Sequence, residues 1–278
     1  MKTNMLAVLT IITAGIIAGC GSSGSSTPTT SISGKVADGY LVGATVFMDK
    51  NNPPNYQLDQ GEPSTTTDAN GAYTLNVDPA DVGKYPIVAM ATKGVTIDKD
   101  TGTAVQNSYL LSMPATAISG TVSSNFISPM SSQLREMMET GKYATMQQAM
   151  SDLRAKLGMP GADMLADYMA ANNTAMHTAA QNMASLMGNQ MAQVLSTSGT
   201  TTTVDVNRYR GMMGTIFSNM SSIKGSSSNT QSTMSNLMGT MTANLPNITA
   251  GQPFRNMSAA FRGGMMGGSI NSTSGGMM

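Results

Sequence analysis

The chain has 278 residues with 15 basic and 15 acidic side chains, so its formal net charge is zero. Charged residues make up only 11% of it, while methionine occurs 28 times, tryptophan never, and cysteine and histidine once each. So weak a charge gives no pull on nucleic acid, and one histidine with one cysteine excludes an internal disulfide and a histidine-built zinc cluster.

Residues 1–19, MKTNMLAVLTIITAGIIAG, place Lys2 before an apolar run and end in small residues, the pattern of a signal peptide. The run is shorter than the roughly 20 residues that span a bilayer. Together with the next residue, Ile17-Ala18-Gly19-Cys20 resembles the lipobox of bacterial lipoproteins. That resemblance implies cleavage before Cys20, lipidation of Cys20 with fatty acyl chains such as palmitate, and a membrane anchor. Gly21, standing where an aspartate would retain such proteins in the inner membrane, implies the outer membrane in a two-membrane host. Residues 20–31, rich in serine and glycine, form a flexible tether behind the anchor.

Residues 32–125 carry short β-like runs separated by turn residues: SISGKVA, ATVFMD, AYTLNV, PIVAMAT and SYLLSM. Val46 and Met48 alternate with Thr45 and Phe47 at the two-residue period of a strand, and Asn70-Gly71 suits a tight hairpin. The expectation is a small antiparallel β-sandwich.

Between two of these runs lies DKNNPPNYQLDQGEP, with Asp49, Asn51, Asn55, Asp59 and Glu62 in the order of a calcium loop. Calcium takes oxygen ligands, usually from positions 1, 3, 5, 7, 9 and 12 of a twelve-residue loop. Counted back from Glu62, Asp59 and Asn55 fall at ligand positions; counted forward, Asp49 and Asn51 do. The two counts differ by two residues around Pro53-Pro54, and Tyr56 stands where glycine normally makes the sharp turn. The expectation is a structural calcium site. Its alternative is a solvated hairpin loop whose acids only repel other chains. Asp98 to Gly102, DKDTG, has spaced acids but no closing glutamate and reads as a turn.

The stretches SGKVADGYLVGATVFMDKN and DQGEPSTTTDANGAYTL resemble the prealbumin-like sandwich of carboxypeptidase regulatory-like domains and B-type adhesin repeats. The marks are GKV, GATV, and Thr67, Asp68, Gly71 and Tyr73. The resemblance covers residues 32–77 and implies a non-catalytic stalk or adhesive support. Its acid-rich loop implies kinship with calcium-binding repeats of surface proteins.

From Ile127 the period becomes helical, and residues 126–224 read as an α-helical bundle of surface helices sharing a core. Ser128-Pro129 starts the first helix and Gly141 stops it; Thr145 with Gln148 caps the second, and Gly158 closes it. A short piece holds Met164, Leu165, Tyr168 and Met169. Longer helices start near Thr174, striped by Met176, Met183, Met187 and Met191, and near Asp205. Residues 225–278 read as a low-complexity Met/Gly/Ser-rich tail with one helix on Met234, Met238, Met241 and Leu245, and disorder towards the end. The fold class expected is therefore α+β.

From Ile127 onward there are 23 methionines against eight leucines. Thioethers favour Cu(I), but methionine at helical spacing also packs a core, where it fills irregular gaps. Core packing accounts for the helices. The tail methionines have no core to serve and carry the alternative, a copper-binding or oxidant-scavenging envelope protein. His177 has no visible base or orienting partner and reads as structural. Ser221 to Lys224 matches SxxK without its companion motifs. No enzyme is expected: the chain reads as a lipid-anchored protein with a structural or partner-binding role, its partner another protein of the cell envelope.

Overall fold

The computed structural model describes residues 29–118, 125–198 and 201–248; Cys20, the tether's first residues and the end of the tail lie outside them. The first half contains β1 (Thr30–Val36), β2 (Leu41–Val42), β3 (Thr45–Met48), β4 (Ser64–Thr66), β5 (Ala72–Val77), β6 (Ile87–Ala91), β7 (Ile97–Asp98), β8 (Thr103–Ala104) and β9 (Tyr109–Met113). Five of these, β1, β3, β5, β6 and β9, arise from the β-like runs that turn residues separate in sequence. Strands pair antiparallel in the order β4-β3-β6-β9, and β2-β7-β8 form a small annex.

A second sheet joins β5 to β1 antiparallel, with Ile32 opposite Leu75. Its third strand, β10 (Asn125–Ile127), lies parallel to β1 and brings Ile127 opposite Val36, a departure from the expected all-antiparallel sandwich. The Asn70-Gly71 turn departs too. It closes no hairpin, because β4 and β5 belong to different sheets. The Asp68 carboxylate fastens this crossing by accepting the amides of Asn70 (2.7 Å) and Ala72 (2.9 Å), while Gly71 takes a φ of 70°.

Burial separates the sheets. On β1 and β5 it alternates, with Ile32, Val36, Tyr73, Leu75 and Val77 inside. On β9 every residue is buried, so both faces of that strand are covered. What covers it is helical. The second half folds as α1 (Pro129–Glu139), α2 (Met146–Leu157), α3 (Thr174–Val194), α4 (Val206–Ser218), the single turn α5 (Met220–Ile223) and α6 (Ser228–Asn244). Both α1 and α3 lie against β9. The sequence is therefore realised as α+β, strands first and helices after, with one apolar core running from Ile32 to Leu245.

Helix limits follow the expected chemistry. The Ser128 hydroxyl accepts the amide of Ser131, the Ser131 hydroxyl accepts the amide of Ser128, and Pro129 fills the first helical position. At α2 Thr145 accepts the amide of Gln148, but the Gln148 side chain reaches one residue further back and accepts the Ala144 amide, and Gly158 ends that helix at a φ of 65°. The piece from Met159 to Asn173 is a run of turns, not a helix, although Met164 and Tyr168 are buried as core residues.

Two elements were not visible beforehand. A hairpin of β11 (Leu195–Ser198) and β12 (Thr201–Val204) links α3 to α4. Its one signal is the β-branched run Thr200 to Val204, which lacks a hydrophobic face. The second is the position of α1, expected to be a surface helix. Pro129 through Met137 are all buried, including Ser131, Ser132, Gln133, Arg135 and Glu136. Polar residues hid that role. Ser131 and Ser132 replace a hydrophobic seam by bonding β9 directly: Ser131 donates to the Ser112 carbonyl at 2.7 Å and Ser132 accepts the Ser112 amide at 2.8 Å.

Candidate functional site

The 49–62 loop leaves β3 and returns into β4. Three of its side chains, those of Asn51, Asn55 and Asp59, come together, whereas Glu62 bonds backbone amides. The amides of Asn51 and Asn55 both donate to Asp59 Oδ2, the latter at 2.8 Å. Glu62 closes the loop, its two oxygens accepting the backbone amides of Lys50 (2.6 Å) and Asp59 (2.9 Å). The Asn52–Pro53 bond is cis.

Asp49 points inward and is fully buried. Its Oδ2 accepts the Tyr56 amide at 2.8 Å and its Oδ1 the Asn51 amide at 3.3 Å. Burial raises its carboxyl above the ordinary value, opposed by the Tyr56 amide and the Arg135 charge. Among the described residues no three His, Cys, Asp or Glu side chains form a metal cluster. A cation here must therefore draw on the carboxamide oxygens of Asn51 and Asn55 as well as the carboxylates. The donor set is all oxygen, as calcium requires. Each carboxylate offers about four lone-pair sites, so the single long bond to Asp49 Oδ1 leaves capacity. As arranged, both carboxamides turn nitrogen towards Asp59 and Asn55 Oδ1 accepts the Gln57 amide at 2.9 Å, so a calcium ion would be held here only with the two carboxamides turned over, and would then neutralise the acids.

Tyr56 is the residue whose role the sequence concealed. It takes a φ of 60°, the left-handed conformation that glycine supplies in such loops and that costs a bulky side chain of order 1–3 kcal/mol. Its contacts offset that cost. The ring is buried, 4.6 Å from the Tyr209 ring and 4.2 Å from the Arg135 guanidinium, and its hydroxyl donates to Glu136 Oε1. Burial holds the phenol protonated, well above its usual range. Arg210 Nε donates to Glu136 Oε2 at 3.2 Å, and Arg135 lies 3.8 Å from Oε1. The loop is thus plugged by one aromatic side chain into a buried charge centre shared by α1 and α4.

The helical methionines are packed: Met176, Met183, Met187 and Met191 on α3 and Met212, Met213 and Met220 beyond it are all buried. The tail methionines from Met257 onward lie outside the described residues. His177 has a partner that sequence could not supply. Its Nε2 is 2.6 Å from Asp100 Oδ2, which also accepts from Gln181 at 3.0 Å, and its ring stacks over Tyr168. Asp98 to Gly102 forms the expected turn, with Asp98 Oδ1 accepting the Asp100 amide at 2.9 Å. No helix among the described residues is long and apolar enough to cross a membrane.

No family model, no curated protein and no solved structure matches this chain. Its function must therefore be argued from the residues themselves.

Proposed function

We propose that the chain is a non-catalytic lipoprotein of the cell envelope, moored through Cys20 and carrying a β-sandwich braced by calcium, with a structural or partner-binding role. One observation carries it. Asn51, Asn55, Asp59 and Glu62 gather at one side of the 49–62 loop, and the same loop inserts Tyr56 into the core of the helices. A cation held there fixes the loop, and the loop fixes how the strands and helices meet. Such a body suits a rigid spacer or docking platform displayed on a tether. The prealbumin-like resemblance over residues 32–77 points the same way, towards stalk and support modules. Copper capture would fall to the tail, since the helical thioethers serve the core.

The test uses the full chain. Calorimetric titration with calcium is expected to show one ion bound per chain, and Asp59→Asn to weaken it by at least about tenfold. Absence of binding to the unsubstituted chain would remove the brace. Mooring is read separately: Cys20→Ser is expected to move the chain from the membrane to the soluble fraction, and unchanged fractionation would contradict it.

A further inference from the structure

A second acidic place lies apart from the 49–62 loop and shares no residue with it. Beside β7, β8 and the start of β9, facing α3, there is a cleft of about 490 Å³. Gln181, Ser185 and Asn189 line it from successive turns of one α3 face, and Thr101, Thr103 and Gln106 line it from the opposite side. Tyr109 and Gly188 supply apolar surface between them, and Asp38 and Asp98 supply carboxylates. None of its lining residues is a lysine, arginine or histidine.

Asp38 makes this more than a polar groove. It is buried to nine-tenths, and Tyr109 donates to its Oδ2 at 2.9 Å. Its Oδ1 is buried with no hydrogen-bond partner among the described residues. A buried acceptor left unsatisfied costs about 1–3 kcal/mol, a cost that a donor entering the cleft would remove. Gly39 allows the crowding. A Cβ there would stand 2.5 Å from the Asp100 carboxylate and 2.6 Å from Asp98 Oδ1, so a larger residue would push both carboxylates from where they stand. Burial first, then the charges of Asp98 and Asp100, push the Asp38 carboxyl up to about 7. Those charges favour a visitor that is positive and brings hydrogens to donate. The cleft has the volume of a small-molecule site, and its amide and hydroxyl walls match hydroxyl groups.

We propose that this cleft binds a small hydroxylated amine, of the chemical class of an amino sugar, whose ammonium group donates to Asp38 Oδ1 beside Asp98 while its hydroxyls meet the side chains of α3 and the β7–β9 segment. Asp100 is already engaged by His177 and Gln181 and acts only through its charge.

The proposal is tested by titrating the full chain with glucosamine, with N-acetylglucosamine and glucose as neutral counterparts. Saturable binding of glucosamine is expected, with both neutral sugars weaker by about tenfold or more. Asp38→Asn keeps an acceptor for Tyr109 but loses the charge, and is expected to abolish binding. Ser185→Lys, at an exposed position, brings a competing ammonium into the cleft and is expected to abolish it also, which guards against a folding defect in the first variant. Equal binding of N-acetylglucosamine, full binding by both variants, or no binding of glucosamine would overturn the proposal.

Discussion

Helices α1 and α3 both rest on β9, yet they are buried in opposite ways. Helix α3 hides Met176, Met183, Met187 and Val194 and turns Gln181, Ser185 and Asn189 outward, so its place follows from an apolar stripe. Helix α1 hides nine successive residues, among them two serines, a glutamine, an arginine and a glutamate. Its place follows from pairing: Ser131 and Ser132 on β9, and Glu136 between Tyr56, Arg135 and Arg210. A stripe tolerates exchange of one hydrocarbon for another. A buried pair does not tolerate the loss of one member, because the charge left behind stays out of water.

That contrast sets the order of effects. Glu136→Ala strands two buried guanidiniums and the Tyr56 hydroxyl, and is expected to cost about 3–5 kcal/mol in denaturant unfolding of the full chain. A cost below that of a methionine truncation on α3 would break the comparison. Met183→Ala empties a fully buried site and is expected to cost about 2–4 kcal/mol, whereas Met183→Leu conserves volume and should stay below about 1.5 kcal/mol. A severe loss with leucine would show that sulfur, not packing, holds α3.

A pH-dependent effect comes from Asp38. Its folded-state pKa of about 7 lies above the unfolded value near 3.8, so the folded form holds its proton longer. That stability is present below about pH 4 and is lost as pH rises through about 7, by at most about 1.4 kcal/mol per pH unit. Tyr109, Asp98, Asp100 and Tyr168 are the titratable groups facing it. Asp38→Asn is expected to flatten that slope between pH 4 and 7, and an unchanged slope would place its origin elsewhere.

Much of the frame was legible because it rests on period and punctuation. Five strands stand out as short β-like runs between turn residues, and the caps at Ser128, Thr145 and Gly158 stand where their side chains and φ angles require. Spacing marks the oxygen-bearing residues of the 49–62 loop, and Asn51, Asn55 and Asp59 bond one another through their side chains. What stayed hidden depends on distant pairing. Nothing local marks Tyr56 as the partner of Glu136, 80 residues on, or His177 as the neighbour of Asp100. Helix α1 reads as a surface helix for the same reason: its polar residues look solvated until their partners are known. Asp38 gave no signal either, since its unpartnered oxygen is a property of the folded cleft alone.

Everything proposed for the loop turns on a cation drawing it shut while Tyr56 holds it to the helices. Thermal unfolding of the full chain, in calcium at a hundredfold excess over its dissociation constant and again in chelator, tests this most directly. About 2.7 kcal/mol of linkage is expected to raise the midpoint by roughly 5–10 °C, with strands and helices still melting together. Identical midpoints in the two conditions would contradict the brace.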